Sequence, residues 1–279
     1  MTEKKLKIAM FGHKRIPSRE GGIEIVVEEL ATRMVTRGHE VVCYNRKGHH
    51  VSGSQYDMDF QDLYKGVKLK SVWTLEKKGL AAVTSSFFAA IKAAKSDADV
   101  VHIHAEGPAA MCWIPKMHKK RVIVTVHGLD WARAKWGGFA TKYIKWGEKQ
   151  AVKKADEIIV LSQGVQEYFK KEYGRKTVFI PNGVTKPDII EAKEITNKFG
   201  LENNSYILFL GRIVPEKGIK YLIQAFRQVN TDKKLVIAGG ISDTAAFSKE
   251  LRDLASDDER IIFINFVQGK VLGELYSNA

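Results

Sequence analysis

The sequence has little cysteine, no long apolar run and no low-complexity segment. Cys43 and Cys112 are the only cysteines among 279 residues, and their apolar neighbours favour buried free thiols. The longest apolar stretch, residues 80–94, is interrupted by a lysine and several hydroxyl side chains, so no segment is predicted to span a bilayer. Charged residues 1–7 lead directly into a predicted strand, which argues against a signal peptide. We therefore expect a cytoplasmic protein.

The formal net charge of +13 lies entirely in the first part of the chain. Residues 1–184 contain 32 Lys and Arg against 19 Asp and Glu, whereas residues 185–279 contain 13 of each. The simpler interpretation is a basic, solvated surface. The alternative is a domain that docks on an anionic partner, either a membrane, a phosphorylated acceptor or nucleic acid.

Short apolar runs rich in β-branched residues alternate with amphipathic runs along the first part of the chain. This alternation predicts an α/β fold in which helices cover both faces of a doubly wound parallel sheet. The predicted strands are Lys7–Phe11, Glu40–Tyr44, Lys68–Trp73, Asp99–His104, Arg121–His127, Glu157–Ser162 and Thr177–Ile180.

The first helical run, Ile23–Arg37, carries one apolar stripe and stops before Gly38, a residue that commonly ends helices. Glu24, Glu28 and Arg33 lie off this stripe and are predicted to face solvent.

The alternating pattern pauses at Pro181-Asn182-Gly183 and then restarts. We predict a first Rossmann-like domain over residues 1–184, a linker over 185–199 and a second Rossmann-like domain over 200–279. Three strands are few for a doubly wound sheet, so we expect the second domain to be incomplete and the chain to be truncated at its C-terminus. Its predicted strands are Tyr206–Leu210, Leu235–Ala238 and Ile261–Phe266, and its predicted helices are Gly218–Val229, Thr244–Ala255 and Lys270–Asn278.

A loop containing glycines connects the first strand to the first helix. Gly12 follows the strand, and the loop reaches Gly21 and Gly22 at the predicted start of the helix. Glycines let a ligand approach the backbone, and a helix N-terminus offers N–H groups to an anion. The loop is longer and more charged than the GxGxxG dinucleotide fingerprint. It is either an anion-binding site or a plain turn.

A second loop places two cations after a strand that is predicted to be buried. Arg212 and Lys217 follow the carboxyl end of this strand, ahead of a helix that begins near Gly218. Ligands of open α/β sheets bind outside the carboxyl ends of strands. Two cations beside a helix N-terminus suit a diphosphate. The alternative is a surface loop with an incidental Arg and Lys.

The segment from Gly211 to Gly218 resembles the GRxxxxKG signature of the retaining family-4 glycosyltransferases, which have the two-domain GT-B fold. Pro181-Asn182-Gly183-Val184 is similar to the hinge of that family, and Ala238-Gly239-Gly240 is similar to its glycine turn. Within the family, Gly12–Glu29 and His127–Trp136 resemble two blocks of the rhamnosyltransferase-type subgroup with a DUF1972-like N-terminal domain. The blocks occur in order over essentially the whole chain.

The resemblance implies a role for individual residues. Arg212 and Lys217 would bind the donor diphosphate and stabilise the leaving group. The backbone at Gly21 and Gly22 would lie against the donor phosphate and sugar, and His127 would be the catalytic residue beside the sugar ring. The residues expected to line the cleft are Asn182, Gly183, Gly240, His104 and Asp130.

The implied chemistry needs no metal. Breaking a glycosyl–phosphate bond places negative charge on the departing diphosphate, which preorganised cations stabilise and which a metal could also stabilise. The Asp-x-Asp tripeptides at 57–59 and 97–99 are predicted to be solvated, and His102 and His104 share a strand face without a third ligand nearby in sequence. We expect a sugar-nucleotide co-substrate, such as a UDP- or dTDP-sugar, with no cofactor and no metal.

The leading hypothesis is a glycosyltransferase that moves a hexose or deoxyhexose such as rhamnose, with retention, to a glycan or polyprenyl-linked acceptor in cell-surface polysaccharide synthesis. The family carries a Glu-x7-Glu motif further on, and none of the glutamates up to Ala279 stands in that context, so the alternative is a catalytically impaired sugar-nucleotide-binding or scaffold protein. Nucleic-acid binding is favoured by charge alone, and a dehydrogenase would lack its dinucleotide fingerprint.

Four lysines share one face of a predicted helix that also carries Tyr143 and Trp146. This face is either solvated or docks peripherally on the anionic inner face of the membrane. The lysines are Lys142, Lys145, Lys149 and Lys153.

Overall fold

The computed structural model describes residues 4–18, 21–49, 61–77, 79–132, 137–186, 188–240 and 245–279. The chain divides into two compact units, the first ending at Gly183 and the second running from Val184 to Ala279. Each unit has its own sheet and its own buried apolar clusters.

The sheet of the first unit confirms the parallel α/β fold that the sequence predicts. Its strands are β1 Lys7–Phe11, β2 Glu40–Arg46, β3 Leu63–Tyr64, β4 Val67–Val72, β5 Val100–His104, β6 Arg121–Val126, β7 Glu157–Val160 and β8 Val178–Phe179. They form one sheet in the order β3-β4-β2-β1-β5-β6-β7-β8. All neighbours are parallel except β3 and β4. The sequence does not predict β3, because two residues are too few to show a periodic pattern.

Helices cover both faces of this sheet. They are α1 Gly22–Thr36, α2 Leu80–Lys95, α3 Glu106–Ala109, α4 Trp113–Met117, α5 Gly138–Lys154 and α6 Gln163–Tyr173. Alternate side chains of β1 point to opposite faces. Met10 belongs to one apolar cluster with Val27 of α1, whereas Phe11 belongs to another with Ala90 of α2 and Ala151 of α5.

The expectation that Glu24 and Glu28 face solvent is wrong. Both side chains are buried in α1. Glu28 accepts a hydrogen bond from the Tyr64 hydroxyl at 2.9 Å, and Glu24 accepts one from the backbone N–H of Lys14 at 2.9 Å. A buried carboxylate needs such donors. They come from β3 and from the loop after β1, which the helix pattern does not reveal.

The order of the strands reverses between β1 and β5. From β1 the chain proceeds to β2 and β4 on one side, and from β5 it proceeds to β6, β7 and β8 on the other. In open α/β sheets such a switch point leaves a crevice at the carboxyl ends of the strands, where ligands bind. The loops after β1, β5 and β6 are therefore the first place to look for a site in this unit.

The second unit has a parallel three-stranded sheet in the order β11-β10-β9. Its elements are α7 Glu194–Phe199, β9 Tyr206–Leu210, α8 Ile219–Phe226, β10 Lys234–Ala238, α9 Ala245–Leu254, β11 Ile261–Ile264 and α10 Gly269–Ser277. Thr244, the predicted start of α9, lies outside the described residues. None of the helices in the described ranges is both long and apolar enough to cross a membrane.

Residues 185–199, expected to be a linker, belong to the second unit and include α7. Ile195 of α7 is fully buried in an apolar cluster with Tyr206 of β9 and Leu275 of α10. A helix of six residues is too short to show a helical period in the sequence, which explains the difference.

The buried Glu274 of α10 holds the N-terminus of α7. Its Oε2 accepts the backbone N–H groups of Lys193, Glu194 and Ile195 at 2.9, 2.7 and 3.1 Å. These N–H groups have no partner inside the helix, so the carboxylate satisfies donors that would otherwise be unpaired. Burial opposes ionisation of Glu274, but the three N–H groups outweigh it and lower its pKa.

Replacing Glu274 with alanine is expected to lower the melting midpoint by about 5 °C or more at pH 7, because three N–H groups at the N-terminus of α7 lose their acceptor. Since the folded pKa is lowered, the stabilisation is present above the ordinary glutamate pKa of 4.5 and is lost as the pH falls through the folded value. The difference between wild type and Glu274→Ala should therefore shrink in acid. Thermal unfolding monitored by circular dichroism measures it.

Glu250→Ala is the control, because Glu250 is half exposed and pairs with Lys220 on the surface. Equal effects of the two substitutions at pH 7 would contradict the role of Glu274.

Candidate active site

The carboxyl ends of β1 and β5 meet at the switch point through a backbone contact. Gly12 has a φ of +109°, and a Cβ atom at this position would lie 2.1 Å from the carbonyl oxygen of His104. Both features exclude any residue with a side chain. The contact brings the loop after β1 against the strand that carries His104.

Asn45, on β2, fixes the loop after β1. Its Oδ1 lies 3.0 Å from Nε2 of the buried His13 and accepts the backbone N–H of Ile16, and its Nδ2 donates to the Ile16 carbonyl. The hydrogen bond from Lys14 N–H to Glu24 ties the same loop to α1. Hydrogen bonds to β2 and to α1 therefore fix the first part of this loop.

Gly21 and Gly22 lie at the N-terminus of α1, as the sequence predicts. A Cβ at Gly21 would lie 2.7 Å from the Glu24 carboxylate, whereas a Cβ at Gly22 would meet nothing within 4 Å. The two glycines thus differ: Gly21 gives room to Glu24, and Gly22 leaves open space at the first turn of the helix.

Three histidines form a row across β5 and the end of β6. The rings of His102 and His104 lie 4.3 Å apart, and His104 Nδ1 lies 3.1 Å from His127 Nε2. His102 Nε2 is 2.7 Å from the Thr125 hydroxyl. The structure therefore brings His104 and His127, both predicted site residues, into direct contact.

Burial keeps the inner histidines neutral. It lowers the pKa of His102 to about 4, with a further contribution from His127. Burial, together with the neighbouring histidines, holds the pKa of His104 well below its ordinary value. Burial also lowers the pKa of His13 to about 4, although the hydrogen bond to Asn45 opposes the shift. A neutral imidazole has one donor and one acceptor nitrogen, so His104 can orient the ring of His127 without adding charge.

The chain turns sharply where β5 ends. Ala105 has a φ of +75° and a ψ of 156°, a conformation that residues other than glycine rarely adopt. Its N–H donates to the Thr125 carbonyl at 2.9 Å, so it remains tied to β6. This turn directs the following residue, Glu106, into the interior, where it is fully buried.

Two buried carboxyl groups anchor the loop that follows His127. Glu106 accepts the backbone N–H of Asp130 at 2.7 Å. Glu148, on α5, accepts the indole N–H of Trp131 at 3.1 Å and the hydroxyl of Tyr168 at 2.9 Å. Tyr173 also donates its hydroxyl to Glu148. Asp130, a predicted cleft residue, is therefore held by its backbone.

In the second unit, a backbone contact between glycines again joins two strand ends. A Cβ at Gly239, after β10, would lie 1.7 Å from the carbonyl oxygen of Gly211, after β9. The N–H of Ile213 donates to the Gly240 carbonyl at 3.1 Å. The predicted residue Gly240 thus supports the loop that follows β9.

Arg212 and Lys217 lie in this loop, between β9 and α8. Lys217 belongs to a 3₁₀ turn over Pro215–Lys217, and Gly218, with a φ of +69°, precedes the first residue of α8. Lys217 is exposed and Arg212 is partly exposed. Within the part of the chain that the structure describes, neither side chain forms an ion pair. Two cations at the carboxyl edge of a parallel sheet therefore remain available to an anion.

Asn182 and Gly183 are exposed and follow β8, the last strand of the first sheet. They do not contact the histidine row through any described hydrogen bond. Arg133–Trp136, the second half of the block that begins at His127, lies outside the described residues.

No group of three His, Cys, Asp or Glu side chains that could hold a metal ion occurs among the described residues. Asp97 and Asp99 lie at the amino end of β5, where Asp97 pairs with the Lys7 ammonium and Asp99 accepts the Lys7 N–H. The other Asp-x-Asp tripeptide, Asp57–Asp59, lies outside the described residues.

The sequence prediction missed Glu106 and Glu148. One signal was available for Glu148, because it lies on the same face of α5 as the buried residues Ile144 and Ala151. A glutamate on the apolar face of a helix indicates a buried polar network. No comparable signal exists for Glu106, whose burial depends on the turn at Ala105.

Known proteins share both halves of this architecture. Residues 20–186 match the family profile described as Glycosyltransferase Family 4, and residues 191–279 match that of Glycosyl transferases group 1. An alpha-D-kanosaminyltransferase of Streptomyces kanamyceticus is 24% identical over 158 residues, which cover 50% of this chain and 41% of the relative. The chain spans half or less of the length of the first curated relatives that it matches.

Two solved structures have the same fold. Sucrose-phosphate synthase of Thermosynechococcus elongatus has a TM-score of 0.74 at 19% identity, covering 99% of this chain and 74% of that one. Anabaena HepE, in complex with UDP and glucose, has a TM-score of 0.72 at 16% identity, covering 97% of this chain and 71% of that one.

Gly12→Ala is expected to destabilise the first unit by at least about 3 kcal/mol, because it combines a clash at the switch point with an unfavourable φ. Gly22→Ala should change the free energy of unfolding by less than about 1 kcal/mol, since the added methyl group meets open space in a helix. Denaturant unfolding of both variants measures the difference. Similar free energies of unfolding for the two variants would show that the close contact between Gly12 and His104 is not required for the stability of the first unit.

Proposed function

Because the chain belongs to glycosyltransferase family 4, we propose that it transfers a sugar from a nucleotide-diphosphate donor to a glycan or lipid-linked glycan acceptor. The observation that carries this proposal is the loop after β9, where Arg212 and Lys217 stand at the carboxyl edge of the sheet without an ion-pair partner among the described residues. The structural neighbour HepE was solved with UDP and glucose, which supports a donor of this class.

We assign diphosphate binding and leaving-group stabilisation to Arg212 and Lys217. Negative charge grows on the diphosphate as the bond between the donor sugar and its diphosphate breaks. Fixed cations stabilise that charge more in the transition state than in the ground state. In this proposal the two side chains supply the stabilisation, and the reaction needs neither a metal nor a cofactor.

We assign sugar binding to the first unit, with His127 as the catalytic residue. Its ring is oriented by His104, and the neutral rings of His102 and His104 make the surroundings suitable for uncharged hydroxyl groups. Gly21 and Gly22 give the donor access to the backbone at the N-terminus of α1. Asn182, Gly183 and Gly240 are assigned to the lining of the cleft.

The finer assignment is a retaining transfer of a hexose or deoxyhexose such as rhamnose, in cell-surface polysaccharide synthesis. It is supported by the blocks Gly12–Glu29 and His127–Trp136, which resemble the rhamnosyltransferase-type subgroup.

Arg212→Ala and Lys217→Ala are each expected to weaken binding of UDP or dTDP about tenfold or more, because each removes a charge-assisted contact to the diphosphate. Isothermal titration calorimetry measures the affinities, and the melting midpoint should stay unchanged because both side chains are at the surface. Lys220→Ala, in the next helix, is the matched control, since Lys220 pairs with Glu250. Unchanged nucleotide affinity in the Arg212 and Lys217 variants would remove this loop from the donor site.

A membrane-bound acceptor would place the basic first unit at the anionic inner face of the membrane, and α5 is the element that we propose to dock. Lys142, Lys149 and Lys153 are exposed, as are Phe139 and Trp146. Lys145 instead lies over the Trp131 ring at 4.1 Å, and Tyr143 turns its hydroxyl inward. The proposed docking face therefore contains three of the four predicted lysines, without Lys145 and without the Tyr143 hydroxyl.

Wild-type protein is expected to sediment with phosphatidylglycerol-containing vesicles at low salt, and the triple variant Lys142→Glu, Lys149→Glu, Lys153→Glu to remain in the supernatant. Charge reversal at three other exposed lysines, Lys170 and Lys171 of α6 and Lys176 after it, is the control for net charge. Failure of the wild type to sediment, or equal loss in the control, would contradict docking through α5.

A further inference from the structure

The loop that carries His127 rests on a pair of buried carboxyl groups. Glu106 holds the backbone of Asp130, and Glu148 holds the indole of Trp131, the next residue. Both carboxyl groups are fully buried. A Cβ at Gly147, beside Glu148, would lie 2.0 Å from the Glu106 carbonyl oxygen, so α5 approaches the start of α3 as closely as a backbone can.

Two ionised carboxylates in such a site would repel each other unless a cation or a proton lay between them. No Lys or Arg of the described residues pairs with either carboxylate. On α5, Lys145 lies over the Trp131 ring instead, and Lys149, which directly follows Glu148, is exposed. Besides Glu148, the titratable group that acts on Glu106 is Asp130 from the loop, which is not a cation. The Tyr143 ring of α5 lies beside Gly107, the next residue, and carries no positive charge either.

The donors around the pair identify the group that carries the proton. Both oxygens of Glu148 already accept hydrogen bonds, Oε2 from Trp131 and Oε1 from Tyr168 and Tyr173. Glu106 accepts one hydrogen bond at Oε2, and its Oε1 is buried without a donor from any described residue.

We propose that Glu106 is a neutral carboxylic acid whose hydroxyl donates to the Glu148 carboxylate, and that this pair positions the loop bearing His127. The role in catalysis rests on the function proposed above. Glu106 and Glu148 are positioning residues, because they act through the loop. His104 holds the first residue of the loop, and the carboxyl pair holds Asp130 and Trp131 three and four residues later.

The electrostatics of the site agree with this assignment. Burial, the hydrogen bond to Glu148 and the charge of Glu148 raise the pKa of Glu106 to about 10, and the N–H of Asp130 opposes the shift only in part. The proton therefore stays on Glu106 at neutral pH.

Substitution by glutamine separates the two members. In Glu106→Gln, the amide oxygen can accept from Asp130 and the amide NH₂ can donate to Glu148, so every contact is kept without a titrating proton. In Glu148→Gln, one of the two acceptor oxygens becomes an NH₂ group, so either Trp131 or the two tyrosines lose their acceptor. We expect Glu106→Gln to be tolerated and Glu148→Gln and Glu106→Ala to be damaging.

The first measurement is stability against pH, which needs no substrate. The folded pKa of Glu106 is raised from 4.5, so its contribution to stability is complete below 4.5 and declines as the pH rises toward the folded value near 10. From pH 6 to 9, denaturant unfolding of wild type should lose stability relative to Glu106→Gln by about tenfold in the folding equilibrium per pH unit. Glu167→Gln, an exposed site on α6, should run parallel to wild type. A Glu106→Gln curve that also runs parallel to wild type would overturn the proposal.

The second measurement is turnover of UDP-glucose, followed by release of UDP. Glu106→Ala and Glu148→Gln should lower kcat about 10²-fold through misplacement of the loop, with UDP affinity by calorimetry unchanged, and Glu106→Gln should restore kcat to within about threefold of wild type. The opposite pattern, with Glu148→Gln active and Glu106→Gln inactive, would place the proton on Glu148 and overturn the assignment. If wild type does not turn over UDP-glucose while the stability result is as expected, the protonation of Glu106 is supported and UDP-glucose is excluded as the donor.

Discussion

The backbone contact between Gly12 and His104 is the constraint on which the site of the first unit depends. It lets β1 and β5 end side by side where the strand order reverses. The loop after β1 then carries the buried His13, and the turn after β5 carries Glu106, which holds the backbone of Asp130 in the loop after β6. The second unit uses the same device, because Gly239 lies against the carbonyl of Gly211 and brings together the loops after β9 and β10. In both units a glycine at a strand end lets the backbone of a neighbouring segment occupy the space that a side chain would otherwise fill.

The two units differ in the titratable groups that they place at these strand ends. In the first unit the buried titratable groups His13, His102 and Glu106 are neutral at pH 7, since burial disfavours their charged forms. In the second unit the basic side chains of Arg212 and Lys217 are partly exposed and exposed, respectively, in the loop after β9. Each edge therefore suits a different ligand chemistry, uncharged hydroxyl groups in the first unit and an anion in the second.

The sequence predicts what local patterns encode. Strands such as β5, which is buried over its whole length, were predicted because each occupies one continuous apolar segment. What it missed depends on contacts between distant segments. Glu24 and Glu28 look solvated on a helical pattern, yet they find donors in Lys14 and Tyr64. Short elements such as α7 and β3 have no period to detect. The carboxyl pair needs three separate elements to meet, so its parts appear ordinary until the fold is known.

A buried carboxyl pair also raises the question of why apolar residues do not stand in its place. Replacing buried ionic groups by well-packed apolar residues is often neutral or stabilising, so the pair is a poor choice if stability is all that matters. Apolar side chains, however, cannot hold a backbone N–H and an indole N–H in fixed directions. Glu106 and Glu148 do so for Asp130 and Trp131. Positioning of the His127 loop accounts for polar groups at a site where packing alone would favour apolar ones, and a shared proton allows two acids to occupy it together.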